Sequence, residues 1–137
     1  MSTPGKLQCK KLIHAVGPIW NGEGTQKENC LREAIHESLL ATERLGLASI
    51  AFPALSAGIR KFPNDVCAEI IATTVADYIT DRTETCVKTV SLVHPDDQGV
   101  AAFCKSFSPF KVQGTLLHSL LCSSCVCSKC LTPWQTG

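Results

Sequence analysis

Ser56, Ala57 and Gly58 form a turn between an apolar run and the next helix, and these residue types are typical of an anion-binding turn. Gly58 permits a tight turn and lets the backbone approach a ligand closely. Successive N–H groups in such a turn form a cradle for an anion, and the helix that begins near Pro63 brings the positive end of its dipole to the same place. The pattern therefore predicts a binding site for a small molecule that carries phosphate.

Two residues of the same loop carry positive charge, and their role has two interpretations. Arg60 and Lys61 lie two and three positions after Gly58. Cations beside a diphosphate add charge-assisted hydrogen bonds, whereas the simpler interpretation is that both side chains are solvated. The turn also has a simpler interpretation, because every α/β unit needs a connection from strand to helix.

No arrangement of residues in the sequence predicts catalysis, and no catalytic residue is assigned. A Cys-x-x-Cys-x-Cys-x-x-Cys pattern lies near the end of the chain, and thiolates at such spacings can bind one soft metal ion. Structural zinc sites usually separate their two cysteine pairs by about a dozen residues or more, so an irregular tail is favoured over a metal site. The cysteines of this pattern are Cys122, Cys125, Cys127 and Cys130.

The composition fits one domain with a modest core. The 137 residues include 13 basic and 12 acidic side chains, and a net charge of +1 gives no sign of direct nucleic-acid binding. No apolar segment is long enough to cross a bilayer and no secretory signal is recognisable, so we expect no membrane contact and a location in the nucleus and/or cytoplasm. Five scattered cysteines have the apolar neighbours of reduced core thiols. They are Cys9, Cys30, Cys67, Cys86 and Cys104.

Strand-like and helix-like runs alternate along the chain, which predicts an α/β fold with about three largely parallel strands and three helices. Leu31, Ile35 and Leu39 recur on one face of the first helix. The second helix starts near Pro63, and the third starts with Asp96 and extends to about Phe107. The strands are predicted at residues 11–16, 48–55 and 87–93.

Two stretches in this order resemble the ADP-ribose-binding macrodomain family. The first is His14-Ala15-Val16-Gly17-Pro18-Ile19-Trp20, and the second is Ala51-Phe52-Pro53-Ala54-Leu55-Ser56-Ala57-Gly58-Ile59. The sequence of these stretches is most similar to macrodomains of the poly(ADP-ribose) polymerase family. The resemblance covers residues 7–107 and implies a three-layer α/β/α fold, truncated to its C-terminal half, followed by a cysteine-rich and irregular tail at residues 108–137.

The resemblance also implies a set of ligand residues. In the family, the loop that matches Ser56 to Phe62 wraps the diphosphate and the distal ribose of ADP-ribose through backbone amides. His94 and Pro95 occupy the place of an aromatic residue that often stacks on adenine. Arg60 and Lys61 depart from the family, which commonly has an aromatic residue and a glycine there, and Lys61 would need a geometry that glycine adopts more easily. The implied loop residues are Ser56, Ala57, Gly58, Ile59, Arg60, Lys61 and Phe62.

Three functions remain open at this stage. The first, which we favour, is a module that binds ADP-ribose or ADP-ribosylated proteins, without a cofactor and with an affinity weakened by truncation. The second is an ADP-ribosyl hydrolase remnant. Members of the family have another ligand loop, in the half that precedes the resembling residues, and its absence here argues against hydrolysis. The third is a degenerate chain without a ligand, in which an exposed sheet edge would need a protein partner.

Overall fold

A computed structural model describes residues 1–22, 24–56, 60–94 and 96–109, together with a short strand at residues 125–126. Its elements alternate helix and strand along the chain, as the sequence predicts. The helices are α1 (Gly24–Arg44), α2 (Asn64–Thr80) and α3 (Asp97–Phe107). The strands are β1 (Ser49–Pro53), β2 (Thr89–Val93) and β3 (Cys125–Val126).

The sheet has the order β1-β2-β3, and all of its pairings are parallel. The register of β1 and β2 runs from Ser49 opposite Thr89 to Pro53 opposite Val93. A parallel pair needs a crossover between its strands, and α2 supplies the crossover from β1 to β2. The α/β class and the largely parallel sheet are therefore confirmed.

Helix α2 lies at the centre of the hydrophobic core. It packs against both α1 and α3. Ile71 and Val75 are almost fully buried along it, and Phe52 of β1 belongs to the same core. Helix α1 buries Leu31, Ile35, Leu39 and Thr42, the positions that its sequence period predicts.

The predicted first strand, residues 11–16, is absent from the described residues as a sheet strand. Leu12 forms only an isolated antiparallel bridge with Ser2, and Val16 is 75% exposed. His14 is exposed as well, and its Nε2 lies 2.9 Å from the Ser2 Oγ. The apolar composition of this run is suited to a buried strand, but no neighbouring strand of the described sheet pairs with it.

The scattered cysteines differ from the prediction that all five are reduced core thiols. Cys67 is buried and free, whereas Cys9 and Cys30 are free but exposed. Cys104 is disulfide-bonded, so the prediction is wrong at that position. Of the predicted irregular tail, residues 108–137, the structure describes residues 108–109 and strand β3, which pairs with Leu92 and Val93.

In the described part of the chain, no helix is both long and apolar enough to cross a membrane.

Candidate functional site

The loops that follow β1 and β2 leave the sheet at the same edge. Pro53 and Val93 are register partners and the last residues of their strands. Because the strands are parallel, the β1–α2 loop (residues 54–63) and His94 start side by side. Ligands of α/β proteins usually bind at this carboxyl edge of the sheet. The structure thus brings the two predicted parts of the site to one edge.

The β1–α2 loop is held at both ends. The backbone N–H of Phe62 donates to the carbonyl oxygen of Ser56 at 2.9 Å, which closes the loop at its base. The Phe62 side chain is only 2% exposed and belongs to the core. On the other side, the Cys67 thiol of α2 donates to the Leu55 carbonyl oxygen at 3.0 Å. Ala57, Gly58 and Ile59, which were predicted to contact the ligand, lie between these anchors and outside the described residues.

Two residues of the loop have left-handed backbone conformations. Ser56 has a φ of 66° and Lys61 a φ of 58°. Residues with a Cβ adopt this region at a cost of roughly 1–2 kcal/mol, whereas glycine adopts it readily. The structure thus gives Lys61 the geometry that the sequence comparison with the family anticipated. Its side chain is exposed.

Helix α2 presents its N-terminus directly after the loop. Pro63 is the N-cap residue, so the helix begins one residue later than a proline at the first helical position would place it. No side chain caps this end by a hydrogen bond in the described residues. Free N–H groups of a first helical turn attract anions, so the end of α2 adds positive potential to the site. Asp65 also lies in this turn and opposes part of that potential.

The segment Gly17–Trp20, which belongs to the first stretch that resembles the family, supports the loop. The Trp20 backbone N–H donates to the Arg60 carbonyl oxygen at 2.9 Å, and Arg60 Nη1 donates to the Gly17 carbonyl oxygen at 2.8 Å. The Trp20 ring lies 4.6 Å from the Phe62 ring, measured between centroids. The resembling stretch that ends at Trp20 contained these residues, but no local pattern predicts contacts with a loop some 40 positions away.

The Ser56 hydroxyl lies in the contact between this segment and the loop. Its Oγ is buried and has no hydrogen-bond partner among the described residues. A Cβ atom added to Gly17 would overlap this oxygen and would lie 3.3 Å from the Ser56 Cβ. A side chain at position 17 would therefore force the Ser56 hydroxyl to move, and glycine allows the close approach without such a shift.

His94, predicted for the adenine side, is 6% exposed. Its Nδ1 lies 3.2 Å from the Asp96 backbone nitrogen and 3.4 Å from the Asp96 Oδ1. The ring also packs edge-on against Phe103 of α3. Asp96 caps α3, accepting from the Gly99 backbone N–H at 2.8 Å. A role of His94 at adenine stays a prediction, and Pro95 lies outside the described residues.

Cys67 sits at the base of the site but has the properties of a structural thiol. Burial raises the pKa of Cys67 from 9.0 to about 12. The thiol is therefore protonated near neutral pH and has little nucleophilic character. Among the residues whose positions the structure gives, no His, Cys, Asp and Glu side chains group as a metal site. Cys122, Cys127 and Cys130 lie outside those residues, and Cys125 is described only as part of the β3 backbone.

The fold defines an α/β protein with a closed loop at the carboxyl edge of its parallel sheet, and comparison with known families identifies which one. Residues 1–71, more than half of the 137-residue chain, match the model of the Macro domain family. The chain belongs to the Macro domain family.

Individual relatives agree with this assignment. An O-acetyl-ADP-ribose deacetylase of Salmonella newport is 46% identical over 76 residues, which are 56% of this chain and 42% of the relative. An uncharacterised protein of Thermotoga maritima is 32% identical over 108 residues, 79% of this chain and 18% of that protein. The chain therefore spans less than half the length of these relatives.

Solved structures show the same fold. The Oceanobacillus iheyensis macrodomain with ADP matches with a TM-score of 0.63 at 24% identity, covering 69% of this chain and 48% of that chain. A mutant of the same macrodomain with ADPR matches with a TM-score of 0.62 at 25% identity, covering 69% and 50%.

Replacing Lys61 with glycine should raise the free energy of unfolding by about 1 kcal/mol, because glycine adopts the left-handed conformation without a Cβ clash. Urea denaturation followed by circular dichroism measures the change. Lys61→Ala is the matched control, since it removes the charge and keeps the Cβ. A Lys61→Gly protein no more stable than Lys61→Ala would contradict the backbone conformation described for this loop.

Gly17→Ala should lower the free energy of unfolding by about 1–3 kcal/mol, because the new methyl group meets the Ser56 hydroxyl. In a Ser56→Gly background the same substitution should cost much less, since the next nearest atom is the Leu31 Cδ1 at 3.6 Å. Urea denaturation of the four proteins gives the coupling energy between the two positions. Equal costs in both backgrounds would show that Ser56 does not restrict position 17.

Proposed function

We propose that this chain binds ADP-ribose, free or attached to protein, through the β1–α2 loop and the N-terminus of α2. The observation that carries the proposal is the loop itself, closed by the hydrogen bond from Phe62 to Ser56 at the carboxyl edge of a parallel sheet. Binding of a diphosphate requires backbone amides in fixed positions, and a loop whose two ends are anchored favours that arrangement.

Three features of the described residues support an anionic ligand. The N-terminus of α2 has no side-chain cap in the part of the chain that the structure describes, so its amides stay available. Lys61 is exposed within the loop and adds positive charge. The solved macrodomain relatives include one with ADP and one with ADPR. Together they favour a nucleoside diphosphate over a neutral ligand.

The finer assignments extend this proposal. We expect this chain to correspond to the C-terminal half of a macrodomain of the type found in the poly(ADP-ribose) polymerase family. We also propose that a protein partner covers the open edge of the sheet and that the protein acts in the nucleus and/or cytoplasm. The outer position of β1 in the described sheet supports a partner at that edge.

Isothermal titration of the full chain with ADP-ribose tests the proposal. Binding should be saturable, and Gly58→Glu should weaken it at least about tenfold, because a carboxylate in the loop repels a diphosphate and adds a side chain where the backbone should approach the ligand. Thr83→Glu is the matched control, since it adds the same charge at an exposed position before β2, at the opposite edge of the sheet.

Competing ligands separate diphosphate recognition from adenine recognition. ADP should compete with ADP-ribose, and adenosine, which lacks phosphate, should not. Competition by adenosine would show that the base dominates binding and that the β1–α2 loop is not the main contact. Absence of heat from protein that circular dichroism shows to be folded would overturn the proposal in favour of a degenerate chain.

A second candidate function is hydrolysis, and the observation that favours it is the Salmonella relative named O-acetyl-ADP-ribose deacetylase. Cys67 is unsuited to act as a nucleophile, because its thiol stays protonated near neutral pH. We expect no release of acetate when the purified chain is incubated with O-acetyl-ADP-ribose. Acetate release that Gly58→Glu abolishes would establish the enzyme in place of the binding module.

A further inference from the structure

Arg60 makes the contacts that join the β1–α2 loop to the Gly17–Trp20 segment. Its carbonyl oxygen accepts from the Trp20 backbone N–H, and its Nη1 donates to the Gly17 carbonyl oxygen at 2.8 Å across 43 positions of sequence. The two hydrogen bonds run in opposite directions between the same two segments. Arg60 thus carries both a backbone and a side-chain hydrogen bond between the loop and its support.

We propose that Arg60 is a positioning residue, which holds the β1–α2 loop in its binding conformation through the Gly17 carbonyl group rather than by contact with the ligand. The proposal deepens the proposed function and rests on it for the ligand, but the contact itself can be tested without one. The proposal also predicts that the position of the loop depends on the shape of the guanidinium group as well as on its charge.

The loop needs such a restraint because its conformation is strained. Ser56 and Lys61 both have positive φ, and a strained backbone persists only where surrounding contacts enforce it. Phe62 anchors one end in the core. Arg60 supplies the contact nearest to Lys61, and its loss would let the strained residue relax toward an ordinary conformation.

Arginine suits this role better than lysine. The guanidinium is planar and carries its N–H donors at fixed angles, so a hydrogen bond to a carbonyl oxygen also fixes the plane of the group. The hydrogen bond to Gly17 is partly buried, where directed contacts are stronger than in water. A lysine ammonium at position 60 would keep the charge but would not fix a direction.

Trp20 reports on this contact in the absence of ligand. Its backbone is hydrogen-bonded to Arg60, and its ring packs on Phe62 at an interplanar angle of 58°. The chain has two tryptophans, Trp20 and Trp134, so a Trp134→Phe background leaves a single emitter. Loosening of the Gly17–Trp20 segment should expose the Trp20 ring to a collisional quencher.

The experiment uses Arg60→Lys and Arg60→Met, both made in full-length Trp134→Phe protein. Arg44→Lys and Arg44→Met are the matched controls, because Arg44 is an exposed arginine at the end of α1. Acrylamide quenching of ligand-free protein measures the positioning contact, and isothermal titration with ADP-ribose at low and high salt measures binding. Circular dichroism confirms that each variant is folded.

We expect both Arg60 variants to increase the quenching of Trp20, and both to weaken ADP-ribose binding by about tenfold. The Arg44 variants should change neither. Unchanged quenching with either Arg60 variant would overturn the proposal. A second pattern would also overturn it: wild-type affinity in Arg60→Lys together with weak, less salt-dependent binding in Arg60→Met. That pattern is expected when the charge at position 60 contacts the ligand directly. If quenching rises while the parent protein has no affinity for ADP-ribose, the positioning role stands and the proposed function fails.

Discussion

The burial of α2 is the constraint on which the rest of the structure depends. This helix packs against α1 and α3, and its inner residues are almost completely removed from solvent. It is also the crossover that makes β1 and β2 parallel, so its packing decides where the carboxyl edge of the sheet lies. Because the β1–α2 loop ends where α2 begins, the position of the site follows from the position of this one helix.

The loop takes its shape from contacts at its ends. Phe62 places an aromatic ring in the core, and the thiol of Cys67, a residue of α2, donates a hydrogen bond to the Leu55 carbonyl oxygen. The Gly17–Trp20 segment then contacts the loop from the other side. These contacts hold Ser56 and Lys61 in conformations that neither residue favours, and the free energy of packing offsets that local strain. The stability of the fold and the geometry of the candidate site are therefore coupled at this edge of the sheet.

Much of the fold was predictable because its signals are local. Leu31, Ile35 and Leu39 repeat with a helical period, and an apolar run that ends in a Ser-Ala-Gly turn indicates a strand followed by a loop and a helix. Whether an apolar run joins a sheet depends on the availability of a neighbouring strand, which residues 11–16 do not reveal. The contact of Arg60 with Gly17 was unpredictable for a similar reason, since it arises only when the fold brings distant segments together.

The close packing of Gly17 on Ser56 has a consequence for how this sequence can change over generations. A lineage that first acquired alanine at position 17 would pass through a poorly packed intermediate, whereas one that first exchanged Ser56 for glycine would not. Selection should therefore favour the order in which position 56 changes first. Homologous chains should show this as covariation between the two positions, with larger residues at position 17 only where position 56 lacks a side chain.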